Sequence, residues 1–61
     1  MGYNVRITWI DGKEETFFST DYPIQKNGDL HITELSGVVR GTLRDRHFPT
    51  SSIRVWEVEQ L

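Results

Sequence analysis

Large apolar side chains alternate with single polar residues over positions 3–9 of the chain. A period of two places such side chains on one face of a β-strand. The side chains with this spacing are Tyr3, Val5, Ile7 and Trp9. Asp11-Gly12 follows the run, and Asp-Gly is a strong hairpin signal because both residues tolerate the positive φ of a tight turn. We therefore predict a hairpin over residues 3–18 whose apolar face seeds the core.

The turn of this hairpin leaves two strand registers open. A two-residue Asp-Gly turn pairs Val5 with Phe18, whereas a type I turn with a glycine bulge pairs Val5 with Phe17. Phe17 and Phe18 are neighbours and therefore point to opposite faces in either register. One of them is expected in the core and the other on the reverse face. A phenylalanine there hints that both faces are partly covered, as in a small barrel or a dimer.

A second hairpin is predicted at Asn27-Gly28. A two-residue turn would pair Ile24 with His31, and a bulged type I turn would pair Ile24 with Leu30. We favour the bulged turn because it groups apolar side chains with each other on one face.

The remaining elements are shorter and less regular. We predict strands over residues 29–35, 38–43 and 53–58, a loop over 44–47, and a tight turn of about one turn of 3₁₀ helix over 48–52. Strand 29–35 should point Leu30 and Ile32 inward. The last strand has apolar residues on both faces, so it is either buried on both sides or contains a bulge that shifts its phase.

Together these elements predict an all-β fold: a small antiparallel meander of four to five strands, as a strongly bent sheet or a small barrel. No segment has the i, i+3, i+4 spacing of an amphipathic helix over ten or more residues. In outline, a meander that ends in a turn, a one-turn helix and a last strand resembles the SH3-like and Sm-like barrels. A chain of 61 residues is expected to form one domain, 1–61, and its start at Met suggests a complete short reading frame.

The amino-acid composition bears on disulfides, on metal sites and on where the protein is located. There is no cysteine, so neither disulfides nor a thiolate metal site can stabilise so small a core, and a cytoplasmic location fits. No apolar run approaches the ~20 residues of a membrane-spanning helix, so we expect no membrane contact. We also expect no small-molecule cofactor. The size suits an accessory or inhibitor protein of a bacterium or phage.

Charge is distributed unevenly along the chain. Residues 1–39 hold three basic and six acidic groups, whereas residues 40–54 hold four arginines against Asp45 alone. Arginine binds carboxylate and phosphate groups in a planar, bidentate manner and stacks on aromatic rings. We therefore predict a partner-binding patch in this basic segment and the strand that follows it. Its candidate residues are Arg40, Arg44, Arg46, His47, Arg54 and Trp56.

Catalysis and metal binding have weaker signals. His47 lies near Asp45 and two serines, but a catalytic triad also needs a rigid scaffold and an oxyanion hole. Asp29 and His31 share a strand face and could form a metal pair, but two ligands do not make a site. We expect neither an active site nor a metal site.

Two functions remain as hypotheses. The first is a non-enzymatic protein-interaction module, an accessory or inhibitor protein, that binds an acidic protein surface or a second copy of itself as a homodimer. The second is a nucleic-acid-binding small β-barrel that uses Arg40, Arg44 and Arg46 together with exposed aromatic side chains. The net charge of −2 makes nucleic acid the weaker hypothesis.

Overall fold

The computed structural model describes residues 2–35 and 41–61. Within them lie six strands: β1 (Tyr3–Trp9), β2 (Glu14–Ser19), β3 (Ile24–Lys26), β4 (Asp29–Leu35), β5 (Leu43–Pro49) and β6 (Ile53–Gln60). They form two antiparallel sheets in the orders β2-β1-β6 and β3-β4-β5. The all-β prediction is confirmed. The prediction of four to five strands in one bent sheet or barrel is corrected, because the described strands form two sheets that do not close into a barrel.

Two registers were predicted for the first hairpin. The structure has the one that contains the glycine bulge, with Val5 opposite Phe17. Gly12 has a φ of 92°, and its N–H donates to the carbonyl of Trp9 at 2.9 Å. The Trp9 N–H in turn donates to the carbonyl of Lys13 at 2.8 Å, which closes a three-residue loop. In consequence Phe17 is half-buried on the core side, while Phe18 is exposed on the reverse face.

The second hairpin does not adopt the register that we favoured. Ile24 lies opposite His31 rather than Leu30, so the turn is the two-residue type. Asn27 and Gly28 have φ values of 53° and 79°, the pair of positive φ values that a type I′ turn requires. Our preference assumed that Ile24 is an inward residue. It is instead exposed on the outer face of its sheet.

Strand β6 contains the bulge that its two-sided apolar pattern suggested. Thr8 pairs with Val55 and Trp9 pairs with Ile53, so Arg54 is the extra residue. The bulge changes the phase of the strand. Ile53 is therefore buried together with the half-buried Trp56 and Val58, whereas Val55 faces solvent.

Strand β5 corrects the prediction of a loop over residues 44–47. The polar run is part of a strand that pairs along its whole length with β4, from Leu35 opposite Leu43 to Asp29 opposite Pro49.

A further strand was predicted over residues 38–43. Residues 38–40 of it lie outside the described residues. Of the rest, Gly41 has a φ of 80° and Leu43 is the first residue of β5. The predicted one-turn helix is confirmed as a 3₁₀ turn, Thr50–Ser52, after Pro49.

The core lies between the two sheets. Its buried side chains are Val5, Ile7, Leu30, Ile32, Phe48 and Ile53. Val5 and Ile7 are fully buried as predicted, while Tyr3 and Trp9 at the ends of β1 are half-buried. The polar residue Ser19 is also fully buried where β2 ends. Its hydroxyl accepts a hydrogen bond from the Thr33 N–H at 3.1 Å, which joins the first sheet to β4.

Candidate functional site

The structure separates the predicted partner-binding residues. Arg44 and Arg46 are two positions apart on β5 and therefore share a face, which is the core side of the sheet. His47 follows Arg46 directly and points to the opposite side of the sheet. Arg54 and Trp56 belong to β6 in the other sheet. The sixth candidate, Arg40, lies outside the described residues. The described candidates therefore do not form one continuous patch.

Arg44 and Arg46 make contacts within the chain. Both guanidinium groups reach the carboxylate of Glu34, at 3.0 Å from Arg44 and 3.6 Å from Arg46. The guanidinium carbon of Arg46 also lies 5.1 Å from the ring centre of Phe17 and 5.0 Å from that of Phe48. These distances are typical of cation–π contacts. Arg46 thus covers the open end of the core, and the charge that we assigned to a partner is partly used internally.

Arg54 and Trp56 also have local roles. The guanidinium group of Arg54 donates to the carbonyl of Ile10 at 3.4 Å, next to the first hairpin turn. Trp56 packs against the buried core from the inner face of β6. Its half-buried ring is therefore less available to a partner than the sequence suggested.

The outer face of sheet β3-β4-β5 brings together a different set of residues, which we call the β4 face. Its side chains alternate with the buried Leu30 and Ile32, and they are ordered by the register of the three strands. The β4 face consists of Ile24 and Lys26 on β3, of Asp29, His31, Thr33 and Leu35 on β4, and of Leu43, Asp45, His47 and Pro49 on β5.

Large apolar side chains are concentrated on and beside the β4 face. Ile24 is 60% exposed, and the cross-strand pair Leu35 and Leu43 is 56% and 55% exposed. Tyr22, which precedes β3, is 61% exposed and lines a concavity of about 250 Å³ together with Ile24. Four of the eight large apolar side chains found exposed in the described residues thus gather at one side of the molecule.

Three residues whose side chains could ligate a metal ion meet on the same face. Asp29 and His31 come from β4, and His47 lies directly opposite His31 on β5. One ligand atom from each residue lies within 4.8 Å of the others. The two imidazole rings are in contact, with centres 4.0 Å apart and planes tilted by 31°. Nε2 of His31 is shielded from solvent and has no hydrogen-bond partner among the described residues.

Sequence reasoning found the Asp29/His31 pair but missed its third member. His47 is sixteen positions from His31 and belonged to a segment that we predicted as a loop. Once β5 is recognised as a strand, the register fixes the contact, because residues opposite each other in an antiparallel pair have Cβ atoms ~4.5–5.5 Å apart.

A second concavity, of about 430 Å³, lies against the sheet β2-β1-β6 and has mostly polar walls. Arg6 and Glu57, which line this concavity, form an ion pair. Nε of Arg6 donates to a carboxylate oxygen of Glu57 at 3.0 Å, so the two charges offset each other. This hydrogen bond and the attraction between the two charges raise the pKa of the Arg6 guanidinium. An already satisfied ion pair gives little reason to bind a ligand, so we place the candidate site on the β4 face.

Comparison with known proteins gives no match to a family model, a curated protein or a solved structure. In the described part of the chain, no helix is long and apolar enough to cross a membrane.

Proposed function

We propose that this chain is a small non-enzymatic protein-interaction module, an accessory or inhibitor protein, that binds through the β4 face. The observation that carries the proposal is the exposure of three large apolar side chains on the β4 face, Ile24 towards one end and the pair Leu35 and Leu43 at the other, with Tyr22 beside Ile24. Single exposed apolar residues are normal on a protein surface, whereas several on one face support an interaction site. The absence of cysteine supports a cytoplasmic setting for this binding.

The occupant that we propose for the β4 face is a second copy of the chain. A two-fold dimer uses the same surface patch twice, so the patch has to be complementary to itself. The β4 face carries both signs of charge, because Lys26 lies on β3 and acidic Asp45 lies on β5, with Ile24 beside Lys26 and Leu43 beside Asp45 on the same face. A two-fold copy can set the lysine of one chain against a carboxylate of the other.

The area that a stable dimer needs favours a surface on a single sheet. A stable interface buries ~800 Å² on each partner, about a fifth of the 4420 Å² accessible surface of this chain. Such an area requires most of one side of so small a molecule. The β4 face is the outer surface of one sheet, whereas the arginine patch is divided between two sheets.

Sedimentation of matched variants tests the proposal. We expect the wild type to shift from its 7.1 kDa monomer mass towards twice that mass as its concentration rises. Ile24→Ser should remain monomeric at concentrations where the wild type is dimeric. Ile10→Ser is the control, because Ile10 is 62% exposed but lies in the first hairpin turn. Equal association of both variants would contradict the assignment of the β4 face.

The nucleic-acid hypothesis stays a prediction with weaker support. Arg44 and Arg46 share Glu34 as an ion-pair partner, which lowers the positive charge available for phosphates. Salt distinguishes the two functions, since phosphate contacts weaken log-linearly as salt rises. An interface centred on apolar side chains should respond weakly to salt.

We also propose that the two sheets and the 3₁₀ turn before β6 form an open variant of the SH3-like outline. The sheet orders and the position of that turn support this.

A further inference from the structure

We propose that Asp29, His31 and His47 form a binding site for a divalent transition metal ion, with Zn²⁺ as its representative. The site goes beyond the proposed interaction function and does not depend on it, because all three ligands come from one chain. Two imidazole nitrogens and one carboxylate oxygen are ligands that zinc commonly takes from proteins. Nothing in such a set favours Mg²⁺ or Ca²⁺, which prefer all-oxygen ligands.

The geometry needs only a small adjustment to hold an ion. Zinc bonds to nitrogen and oxygen are about 2.0–2.2 Å long, so two ligand atoms on a tetrahedral ion are about 3.4 Å apart. The ligand atoms of the three residues already lie within 4.8 Å of one another. Closing the remaining gap of at most about 1.4 Å requires rotation of side chains, not movement of strands. The fixed β4–β5 register keeps His31 and His47 in place for this.

A second observation points to a ligand independently of the clustering. Buried polar atoms are nearly always hydrogen-bonded, and an unpaired one costs free energy. Nε2 of His31 is shielded from water and has no partner among the described residues. A metal ion bound at this nitrogen would satisfy it. The free energy that the protein loses by leaving the atom unpaired would then be regained on binding.

The surroundings of the site favour a cation. Asp21 and Asp45 line the concavity next to His31, although Lys26 also lies on its wall. Three protein ligands leave the fourth position of a tetrahedral ion open to water or to a group from another molecule. The proposed centre therefore resembles an open site and not a closed structural one.

Calorimetric titration of the metal-free protein with ZnCl₂ tests the site. We expect one Zn²⁺ per chain and a rise in Tm of roughly 10 °C or more once Zn²⁺ reaches a hundred times the Kd. MgCl₂ should produce neither effect. His47→Gln and Asp29→Asn should each weaken zinc binding at least ~tenfold, since even residues that only support metal ligands are worth 10–100-fold.

Matched controls separate the site from general attraction to acidic groups. Asp11→Asn removes a carboxylate from the first hairpin turn and should keep wild-type affinity, whereas Asp45→Asn removes one that lies beside the ligands and should weaken zinc binding less than His47→Gln or Asp29→Asn. His47 is exposed, which makes loss of folding in His47→Gln unexpected, and circular dichroism checks this for each variant.

The proposal is overturned if His47→Gln and Asp29→Asn bind zinc like the wild type. It is equally overturned if the wild type shows no heat and no Tm shift. A stoichiometry of half an ion per chain would mean that two copies share the ion, which contradicts a site within one chain.

Discussion

The hydroxyl of Ser19 accepts a hydrogen bond from the backbone N–H of Thr33 at 3.1 Å, at the place where one sheet passes into the other. The same hydroxyl donates to the carbonyl of Asp21 at 2.5 Å. Thr20, next along the chain, adds a backbone hydrogen bond from its N–H to the Thr33 carbonyl at 2.8 Å. This junction keeps the two sheets together and so positions β4, which carries two of the three proposed metal ligands.

Ser19→Ala should therefore destabilise the protein by about 1–3 kcal/mol, because it leaves the Thr33 N–H without its partner in a partly buried place. Urea denaturation monitored by tryptophan fluorescence measures the change. Ser51→Ala is the control, since Ser51 is exposed in the 3₁₀ turn and should change stability by less than ~0.5 kcal/mol. Equal stability of the two variants would show that the junction is held by other contacts.

Arg46 should matter more for stability than Arg44. Both contact Glu34, but Arg46 also lies over the rings of Phe17 and Phe48. A partly exposed cation–π contact contributes ~0.5–1 kcal/mol, and an exposed ion pair contributes ~0–1 kcal/mol. We expect Arg46→Gln to cost about 1 kcal/mol in thermal unfolding and Arg44→Gln about half of that or less. If both variants melt like the wild type, Arg46 is free for a partner, as the sequence first suggested.

The type I′ turn makes a prediction about Asn27 that differs from the bulged turn. In the bulged turn only Gly28 needs a positive φ, whereas here Asn27 has a φ of 53° as well. Asn27→Ala should then cost ~1 kcal/mol or more, and Asn27→Gly should be tolerated, because glycine adopts positive φ without strain. Gly28→Val should be worse than either. A neutral Asn27→Ala in chemical denaturation would contradict the turn assignment.

Much of this fold follows from local pattern. The clean alternation of β1 and the hairpin at Asp11-Gly12 can be read from the sequence, because each depends on neighbouring residues. The register of that hairpin and the bulge of β6 were each one of two alternatives that the sequence left open. The register of the second hairpin could not be read, since Ile24 is apolar yet faces outward. Apolar character alone does not tell a core residue from one on an exposed binding face.

The candidate site was harder to predict than the fold. Strand β5 has a polar run, Arg44 to His47, in place of the usual β-branched and aromatic residues, and its pairing with β4 is set by tertiary context. Without that strand, His47 had no reason to meet His31, and Arg46 had no rings to cover. The sequence showed four arginines over residues 40–54 with Asp45 as the only acidic residue among them, so we assigned them to a binding patch.

Binding of a second copy of the chain by the β4 face is tested most directly by ¹H–¹⁵N NMR spectra over a dilution series. We predict concentration-dependent shifts of the backbone amides that cluster in β3, β4 and β5, with the largest shifts near Leu35 and Leu43. Amides of the first hairpin turn around Gly12 should not move. Spectra that stay unchanged up to millimolar protein, or shifts confined to the outer face of sheet β2-β1-β6, would contradict the claim.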